Sequence, residues 1–304
     1  MMVNLSGLTT EKRNPATTRI DAMDTLSMLR VINSEDSKVA EAVGRVLPEI
    51  ASAVDGIADR LSKGGRLFYV GAGTSGRLGV LDAAECPPTY GTSPEMVQGL
   101  IAGGDAAMFR AQEGAEDDFS LGEKDLRERN FTKGDVLVGI AASGRTPYVM
   151  GALKYAGSIS ALTVALSCSE NSEIAALADI AITPIPGPEV VTGSTRLKAG
   201  TAQKLVLNML STGTMIRLGK VYGNLMVDVK ATNKKLEERA RRIVMEASGC
   251  DRAESIRALE ESGGNAKLAI LMILTGCAPK AGAEALASNG GRLADAIRNM
   301  RTVF

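Results

Sequence analysis

Short runs of consecutive apolar residues alternate along the chain with longer segments in which apolar residues recur every three or four positions. The first pattern is typical of buried strands and the second of amphipathic helices. Because such alternation is typical of a parallel sheet covered by helices on both faces, it predicts an α/β fold. The predicted strands are Arg66–Val70, Met96–Ile101, Val136–Ala141, Ala161–Leu166 and Ile180–Thr183, and the predicted helices before them are Thr25–Asn33 and Val39–Lys63.

The pattern changes in the second half of the chain. A helical segment from Leu205 to Ile216 is apolar on every side, so we predict that it is buried, with a subunit interface as one candidate environment. After Arg239, short helical segments are separated by glycines that are typical of helix ends. This change predicts two domains, an α/β domain with an N-terminal helical extension over residues 1–246 and a small helical domain over residues 247–304.

Composition excludes several classes of function. The 35 basic and 35 acidic residues cancel, aromatic residues make up 3% and tryptophan is absent, so the chain lacks the charge and the stacking surfaces of a nucleic-acid-binding protein. Four scattered cysteines without a CxxC spacing, and no histidine, argue against a zinc site. The first residues lack the basic and apolar regions of a signal peptide. We therefore predict a cytoplasmic protein with reduced thiols, no metal or other cofactor, and no nucleic-acid or membrane partner.

Two glycine-containing turns rich in hydroxyl groups follow predicted strands. The first is Gly71–Arg77 and the second is Ala142–Thr146. In a parallel sheet, ligands bind beyond the carboxyl ends of the strands, where the free N–H groups of the following helix attract anions. The two turns therefore predict a site for a small phosphorylated molecule. The predicted contacts are Gly73, Thr74, Ser75, Gly76, Ser143, Gly144, Arg145 and Thr146.

The first turn also matches the glycine spacing of dinucleotide-binding proteins, which alone is a weak signal. Such a site needs an acidic residue after the next strand to bind the ribose, but that strand is followed by Ala102-Gly103-Gly104. A dinucleotide also leaves the second turn without a function. A phosphosugar, which uses hydroxyl donors from both turns, is therefore the favoured ligand.

Longer segments around these turns resemble one known family. They are Gly71–Gly79, Glu85–Gly91, Glu113–Asp117, Ala141–Tyr148 and Thr192–Thr201. Through them the chain resembles the N-acetylmuramic acid 6-phosphate etherases over nearly its whole length. The resemblance implies the sugar isomerase (SIS) fold, a three-layer αβα arrangement of flavodoxin type, with a small three-helix C-terminal domain of the ubiquitin-associated type. It also implies hydrolytic removal of D-lactate from N-acetylmuramic acid 6-phosphate, giving N-acetylglucosamine 6-phosphate in cell-wall sugar recycling, by a homodimer.

Carboxylates are the candidate acid and base, because the chain has no histidine. The resemblance assigns these roles to Glu85 and Glu116. Glu85 is predicted to end a helix before Pro87, where the negative end of the helix dipole favours a neutral, proton-donating carboxyl group. From position alone, an ordinary solvated glutamate at a helix end is the favoured interpretation, and only the match of the flanking Cys86–Gly91 to the family reverses that order. Glu116 belongs to an acidic run with Glu113 and Asp117, and only the resemblance selects it, as the base.

Other polar residues have more than one interpretation. A third cluster, consisting of Ser194, Arg196 and Lys198, is predicted to reach the sugar or the phosphate. Arg77 and Arg145 each have two interpretations that stay open, a contact with the ligand or a structural ion pair. The C-terminal domain has two candidate roles, of which stabilising the dimer is favoured over binding a partner.

Two other functions on the same fold stay open. A sugar-phosphate aldose–ketose isomerase often uses a histidine for ring opening, and the chain has none. A non-catalytic phosphosugar sensor binds its ligand without turnover. The presence of both glutamates in their family contexts favours catalysis over sensing.

Overall fold

The computed structural model describes residues 11–110, 112, 114–228 and 234–301. These residues divide into two compact units. The first unit takes in the described residues up to Ala84 together with Glu95–Ser211. The second takes in Glu85–Pro94 together with the described residues from Thr212 onward.

A parallel sheet forms the centre of the first unit. Within the described residues it has five strands in the order β2-β1-β3-β4-β5, and every neighbouring pair is parallel. The predicted α/β class is confirmed. The strands are β1 (Leu67–Gly71), β2 (Val97–Ile101), β3 (Val136–Ile140), β4 (Leu162–Leu166) and β5 (Ile180–Ile182).

Helices cover both faces of this sheet. The helices that begin in the first unit are α1 (Thr25–Asp36), α2 (Lys38–Gly44), α3 (Leu47–Ser62), α4 (Gly73–Tyr90), α5 (Phe119–Glu128), α6 (Pro147–Ser158) and α7 (Lys198–Arg217). Phe68 and Val70 of β1 pack in one core with Leu153 of α6. On the other face, Gly79 of α4 lies against Tyr69, where an added Cβ would be 2.9 Å from the Cβ of the tyrosine. Successive β1 side chains therefore face different helices, as the pleat requires.

The predicted helix Val39–Lys63 is interrupted in the structure. Helix α2 ends at Gly44 and α3 begins at Leu47, with Val46 between them at φ −113° and ψ 20°, outside helical geometry. Pro48 has no N–H group to donate to the carbonyl of Gly44, and its fixed φ suits the first turn of a new helix. The structure therefore has two helices in a segment where the apolar pattern alone predicts a single continuous helix.

The second unit is helical apart from a short hairpin. Its elements are β6 (Val221–Tyr222), β7 (Leu225–Met226), α8 (Lys234–Ser248), α9 (Arg252–Glu261), α10 (Ala266–Thr275), α11 (Pro279–Ser288) and α12 (Leu293–Arg301). Val244 of α8, Ile270 of α10 and Ile297 of α12 share one core. Four helices lie in the described part of the chain after residue 247, one more than predicted. Gly276 ends α10 in the left-handed conformation and Pro279 starts α11, which separates these two.

The predicted domain boundary at residue 246 stays a prediction. Of the helices in the described ranges, none is by itself long and apolar enough to cross a membrane. Helices α10 and α11 reach the required length and composition only as a pair, and they are bent by 107° at the break between them.

Candidate active site

The two predicted turns lie side by side at the carboxyl edge of the sheet. Strand β1 pairs with β3 along its length, with Gly71 opposite Ile140. The first turn leaves β1 and leads into α4, and the second leaves β3 and leads into α6. Both helices therefore begin at the edge where parallel sheets bind ligands.

The first turn has no room for a side chain at two of its glycines. A Cβ on Gly71 would lie 2.7 Å from the backbone nitrogen of Gly76, and one on Gly76 would lie 2.6 Å from the carbonyl oxygen of Gly71. Gly73 begins α4 with a φ of 53°, a value that glycine adopts without strain. Strand and helix therefore meet with their backbones in contact, and the free N–H groups at the start of α4 lie at the sheet edge.

The hydroxyl groups of the first turn differ in their surroundings. Thr74 is half-buried, whereas Ser75 is buried. The Oγ atom of Ser75 lies 3.0 Å from Oε1 of Gln203 on α7. The Ser75 hydroxyl group therefore has a partner within the protein.

The segment after β4 holds the second turn in place. The N–H group of Cys168 donates to the carbonyl of Ala142, and that of Ile174 donates to the carbonyl of Gly144, both at 3.0 Å. Gly144 has a φ of 73°, and a Cβ there would lie 2.0 Å from the Cβ of Ser172. Glycine is therefore required at this position for both conformation and space.

The polar side chains of the second turn are only partly enclosed. Ser143, Arg145 and Thr146 are half-buried. Thr146 precedes α6, but its side chain makes no capping hydrogen bond. The Nε atom of Arg145 lies 3.6 Å from Oε1 of Glu173, an ion pair of the partly exposed kind that contributes about 1 kcal/mol or less.

Glu116 and the first turn line the same cavity. The cavity has a volume of about 190 Å³, and its lining consists of Ala72, Gly73, Arg77, Ala102, Ala107, Gln112, Gly114, Glu116 and Asp117. Glu116 lies in a short 3₁₀ turn, Ala115–Asp117, which follows Gly114. The fold thus brings one predicted catalytic carboxylate to the turn predicted to bind phosphate. Glu113, the remaining candidate of the acidic run, lies outside the described residues.

Arg77 supports one wall of this cavity. Its Nε atom donates to the carbonyl of Met108 at 3.0 Å, and its Nη2 atom donates to the carbonyl of Ala107 at 2.7 Å. These bonds join α4 to the 3₁₀ turn Asp105–Met108. Of the two interpretations of Arg77, the structural one therefore has direct support, although its partners are carbonyl groups rather than acids.

Glu85 does not end a helix, so this prediction is wrong. Helix α4 continues through Pro87 and Pro88 to Tyr90, and the N–H group of Gly91 donates to the carbonyl of Pro87 at 3.0 Å. The prolines remove two N–H donors, yet the helix persists because their fixed φ remains helical. Glu85 is exposed and belongs to the second unit. Its predicted role as proton donor stays a prediction.

The third predicted cluster is divided between surface and core. Ser194 is half-buried and Arg196 is exposed, whereas Lys198 is only 1% exposed. The Nζ atom of Lys198 donates to Oε2 of Glu35 at 2.7 Å, which joins α7 to α1. Lys198 therefore has a structural partner, and the ligand contacts predicted for the cluster stay predictions.

Two buried carboxylates fix the start of α7. Glu189 accepts hydrogen bonds from the N–H groups of Lys198 and Ala199 at 2.8 and 2.9 Å, and burial raises its pKa despite these bonds. Burial also acts to raise the pKa of Glu35. Hydrogen bonds from Lys198 and Lys38 outweigh this effect and bring the pKa of Glu35 down to about 2.

Polar side chains, all buried except the half-buried Asn208, also join α4 to α7, and sequence reasoning missed them. This α4–α7 seam consists of Ser75, Asp82, Gln203, Asn208 and Ser211. Asp82 accepts from Nδ2 of Asn208 at 2.7 Å and from Oγ of Ser211 at 3.1 Å, while burial raises its pKa. The available sequence signal is a polar residue on a helix face that otherwise buries apolar side chains, and that signal does not identify the partner.

Comparisons with known proteins agree with this fold. The family model of the glucokinase regulatory protein N-terminal SIS domain matches residues 49–157, and the SIS domain model matches residues 120–213. The solved structure of a phosphoheptose isomerase from Neisseria gonorrhoeae superimposes with a TM-score of 0.50 and 20% identity, covering 63% of this chain and 98% of its own. The predicted SIS-type fold is therefore confirmed.

Three relatives similar in sequence are each named N-acetylmuramic acid 6-phosphate etherase. The protein from Clostridium beijerinckii is 58% identical over 298 residues, covering 98% of both chains. The protein from Photobacterium profundum is 58% identical, covering 98% of this chain and 99% of its own. The protein from Aeromonas hydrophila is 59% identical over 291 residues, covering 96% of this chain and 98% of its own.

Proposed function

Because this chain belongs to the N-acetylmuramic acid 6-phosphate etherase family, we propose that it cleaves the D-lactyl ether of N-acetylmuramic acid 6-phosphate with water. The products are N-acetylglucosamine 6-phosphate and D-lactate. The observation that supports the site most directly is the cavity lined by both Glu116 and Gly73. A carboxylate beside a turn with N–H groups at a helix start supports a base and a phosphate contact in the same cavity.

The reaction proceeds by elimination followed by addition of water. An unactivated ether at C3 is difficult to cleave directly, but the open-chain aldehyde form of the sugar makes the proton at C2 acidic. Loss of that proton breaks the C3–O bond and forms a C2–C3 double bond, so the lactyl group leaves with its ether oxygen. Water then adds its oxygen to C3, and a proton returns to C2.

Two carboxylates carry the protons in this scheme. Glu116 is the base that takes the C2 proton, and Glu85 is the acid that protonates the departing lactyl oxygen. After elimination the roles reverse, because the added water must lose a proton and C2 must gain one. Each group therefore returns to its starting protonation state after one turnover.

The two turns bind the phosphate group of the substrate. Thr74, Ser143 and Thr146 provide hydroxyl donors, and the starts of α4 and α6 provide backbone N–H groups. The adjacent positions of the turns, set by the pairing of β1 with β3, allow one phosphate to contact both. Ser194 and Arg196 are proposed to contact the sugar.

The active form is proposed to be a cytoplasmic homodimer. Several large apolar side chains are exposed in the single chain, including Leu26 at 57%, Leu29 at 52% and Val191 at 57%. Contact with a second copy of the chain covers apolar surface of this kind. We also propose that residues 1–246 hold the catalytic machinery and that residues 247–304 stabilise the dimer.

Release of D-lactate from N-acetylmuramic acid 6-phosphate by the purified protein tests the proposed function. The unphosphorylated sugar, Glu85→Gln and Glu284→Gln are measured beside it, the last as an exposed glutamate on α11. We expect release that requires both the phosphate and Glu85, with Glu284→Gln unaffected. No release, with the phosphosugar still raising the Tm, identifies a phosphosugar sensor instead.

Isotopic labelling tests the mechanism separately. In water labelled with heavy oxygen, the label should enter the sugar at C3 and be absent from the hydroxyl group of lactate. In deuterium oxide, C2 should gain deuterium. Heavy oxygen in the lactate hydroxyl group contradicts elimination and indicates direct attack on the lactyl carbon.

A further inference from the structure

Ser75 is the one predicted phosphate contact whose hydroxyl group is held by another buried side chain in the described residues. Its Oγ atom lies 3.0 Å from Oε1 of Gln203, and the two residues are 7% and 1% exposed. The other end of the same amide, Nε2 of Gln203, is buried and has no hydrogen-bond partner among the described residues. The pair thus has a surplus donor next to a turn that is expected to meet an anion.

The direction of this hydrogen bond decides whether Ser75 can serve a phosphate. With Oε1 toward Ser75, the hydroxyl proton points at the amide, and Oγ presents only lone pairs to an anion. A rotation of the amide by half a turn places Nε2 against Oγ. Gln203 then donates, and the hydroxyl proton of Ser75 is free to be donated elsewhere.

The rotated arrangement also changes which atom of the Gln203 amide lacks a partner within the described residues, from the nitrogen to the oxygen. A buried amide nitrogen without a partner is destabilising, whereas an unpaired carbonyl oxygen is better tolerated. Rotation pairs one N–H donor of the amide nitrogen, which otherwise has no partner in the described part of the chain, and leaves the carbonyl oxygen unpaired instead. A phosphate oxygen that accepts from Ser75 then completes a chain of donors from Gln203 through Ser75 to the anion, in which each bond polarises the next.

We propose that Gln203 is a positioning residue for Ser75: with substrate bound, its Nε2 atom donates to Ser75 Oγ, and Ser75 donates its proton to the substrate phosphate. The proposal rests on the proposed function, because it requires a phosphate at the first turn. Gln203 itself need not touch the substrate. Its effect passes through a single hydroxyl group, which makes it separable from a general packing role.

The α4–α7 seam offers a matched control. Asn208 is also on α7 and also hydrogen-bonds α4, through Asp82, which is seven residues further along α4 than Ser75. Loss of either amide removes a helix–helix hydrogen bond. A purely structural role for Gln203 therefore predicts that Gln203→Met and Asn208→Leu both lower the Tm and both leave the KM unchanged.

The experiment measures kcat and KM for D-lactate release together with competitive inhibition by inorganic phosphate. The variants are Gln203→Met, Gln203→Glu, Ser75→Ala, Asn208→Leu and the double variant Ser75→Ala/Gln203→Met. We expect Gln203→Met to raise the KM and the phosphate inhibition constant about tenfold, the size of one hydrogen bond to a charged group, with kcat within about threefold. Gln203→Glu, which keeps the shape but loses the donor, should raise both constants at least as much. Asn208→Leu should leave both unchanged.

The double variant gives the decisive comparison. If Gln203 acts through Ser75, its loss has no further effect once the hydroxyl group is gone, so the KM of the double variant should equal that of Ser75→Ala. Additive increases in the KM overturn the proposal, as does an unchanged KM in Gln203→Glu. An unchanged KM in Ser75→Ala overturns the roles of both residues while leaving the etherase reaction intact. If the wild type releases no lactate, the proposed function fails, and the change in Tm on adding phosphosugar to the same variants still tests Gln203.

Discussion

Two neighbouring carboxylates, Glu116 and Asp117, have different proposed roles, because only Glu116 is proposed as the base. Glu116 and Asp117 both line the cavity beside the first turn. Only a group within hydrogen-bond reach of the C2 proton can act as its base, so proximity to the phosphate turn is necessary but does not by itself make a carboxylate catalytic. Comparing the effects of substituting Glu116 and Asp117 on kcat therefore tests which of the two is the base.

We expect Glu116→Gln to lower kcat by about a hundredfold or more, the usual contribution of a general base, with little change in the KM. Asp117→Asn removes a charge from the same cavity and should cost less than about tenfold. The measurement is the rate of D-lactate release at saturating N-acetylmuramic acid 6-phosphate. Equal losses in the two variants contradict the assignment of Glu116 as the base.

The glycine of the second turn provides a test of backbone geometry. Gly144→Ala places a Cβ 2.0 Å from that of Ser172 at a φ of 73°, so we expect the free energy of unfolding to fall by about 2 kcal/mol or more. Gly157→Ala is the matched control, because no atom outside the neighbouring helix backbone lies within 4 Å of its added Cβ and its φ is not in the left-handed region. It should leave stability unchanged or raise it by about 0.4–1 kcal/mol. Urea unfolding measures both, and equal stabilities contradict the expected strain.

At the scale of residues, the position of the two turns in the candidate site could be predicted because glycine and hydroxyl residues follow apolar strands in the sequence. The order of the strands then places the two turns together. The partners of the buried polar groups could not be predicted in this way. The sequence predicts Lys198 near a ligand, whereas in the structure it pairs with Glu35, from which it is separated by 163 positions. Hydrogen bonds between such distant residues depend on packing that no local pattern contains.

At the scale of elements, proline had opposite effects in two helices. Pro48 lies at the start of α3 and coincides with a break, whereas Pro87 and Pro88 lie inside α4 without ending it. Helix propensity treats all three as helix breakers, but a proline costs only the hydrogen bond and the space that its position requires. The positions of the helices and strands could therefore be predicted from the apolar pattern, while the end of α2 at Gly44 and the end of α4 at Tyr90 could not.

The ion pair between α1 and α7 predicts a pH dependence of stability. The pKa of Glu35 falls from an ordinary value of 4.5 to about 2 on folding, so the pair stabilises the protein fully above about pH 4.5 and progressively less as the pH falls toward 2. Glu35→Gln leaves Lys198 buried without its counter-charge and should cost about 3 kcal/mol or more at pH 7. The difference from wild type should narrow as the pH falls.

Denaturant unfolding at several pH values between 7 and 3 checks this behaviour. Glu41→Gln is the control, because the Glu41–Arg45 pair is exposed on both sides and should contribute at most about 1 kcal/mol. A stability difference between wild type and Glu35→Gln that stays constant with pH contradicts the role given to the ionised carboxylate.

At the scale of the whole molecule, the exposed apolar side chains predict self-association. Sedimentation equilibrium should give a mass twice the 31.7 kDa of one chain. Leu26 and Leu29 are three positions apart on α1 and are both more than half exposed, so we expect Leu26→Lys combined with Leu29→Lys to weaken the dimer. Leu177→Lys, at a less exposed single position, serves as the control. A monomer at all concentrations contradicts the proposed assembly.

The carboxylate at the start of α7 has a consequence for how selectively the protein responds to anions. Helices α4 and α6 begin with backbone N–H groups at the two glycine turns, whereas the N–H groups of Lys198 and Ala199 at the start of α7 are bonded to Glu189. A tethered carboxylate competes at a high effective concentration, which disfavours binding of free inorganic phosphate at the start of α7. The chain thus carries its own carboxylate at the start of α7, which leaves the two glycine turns as the proposed site for the substrate phosphate.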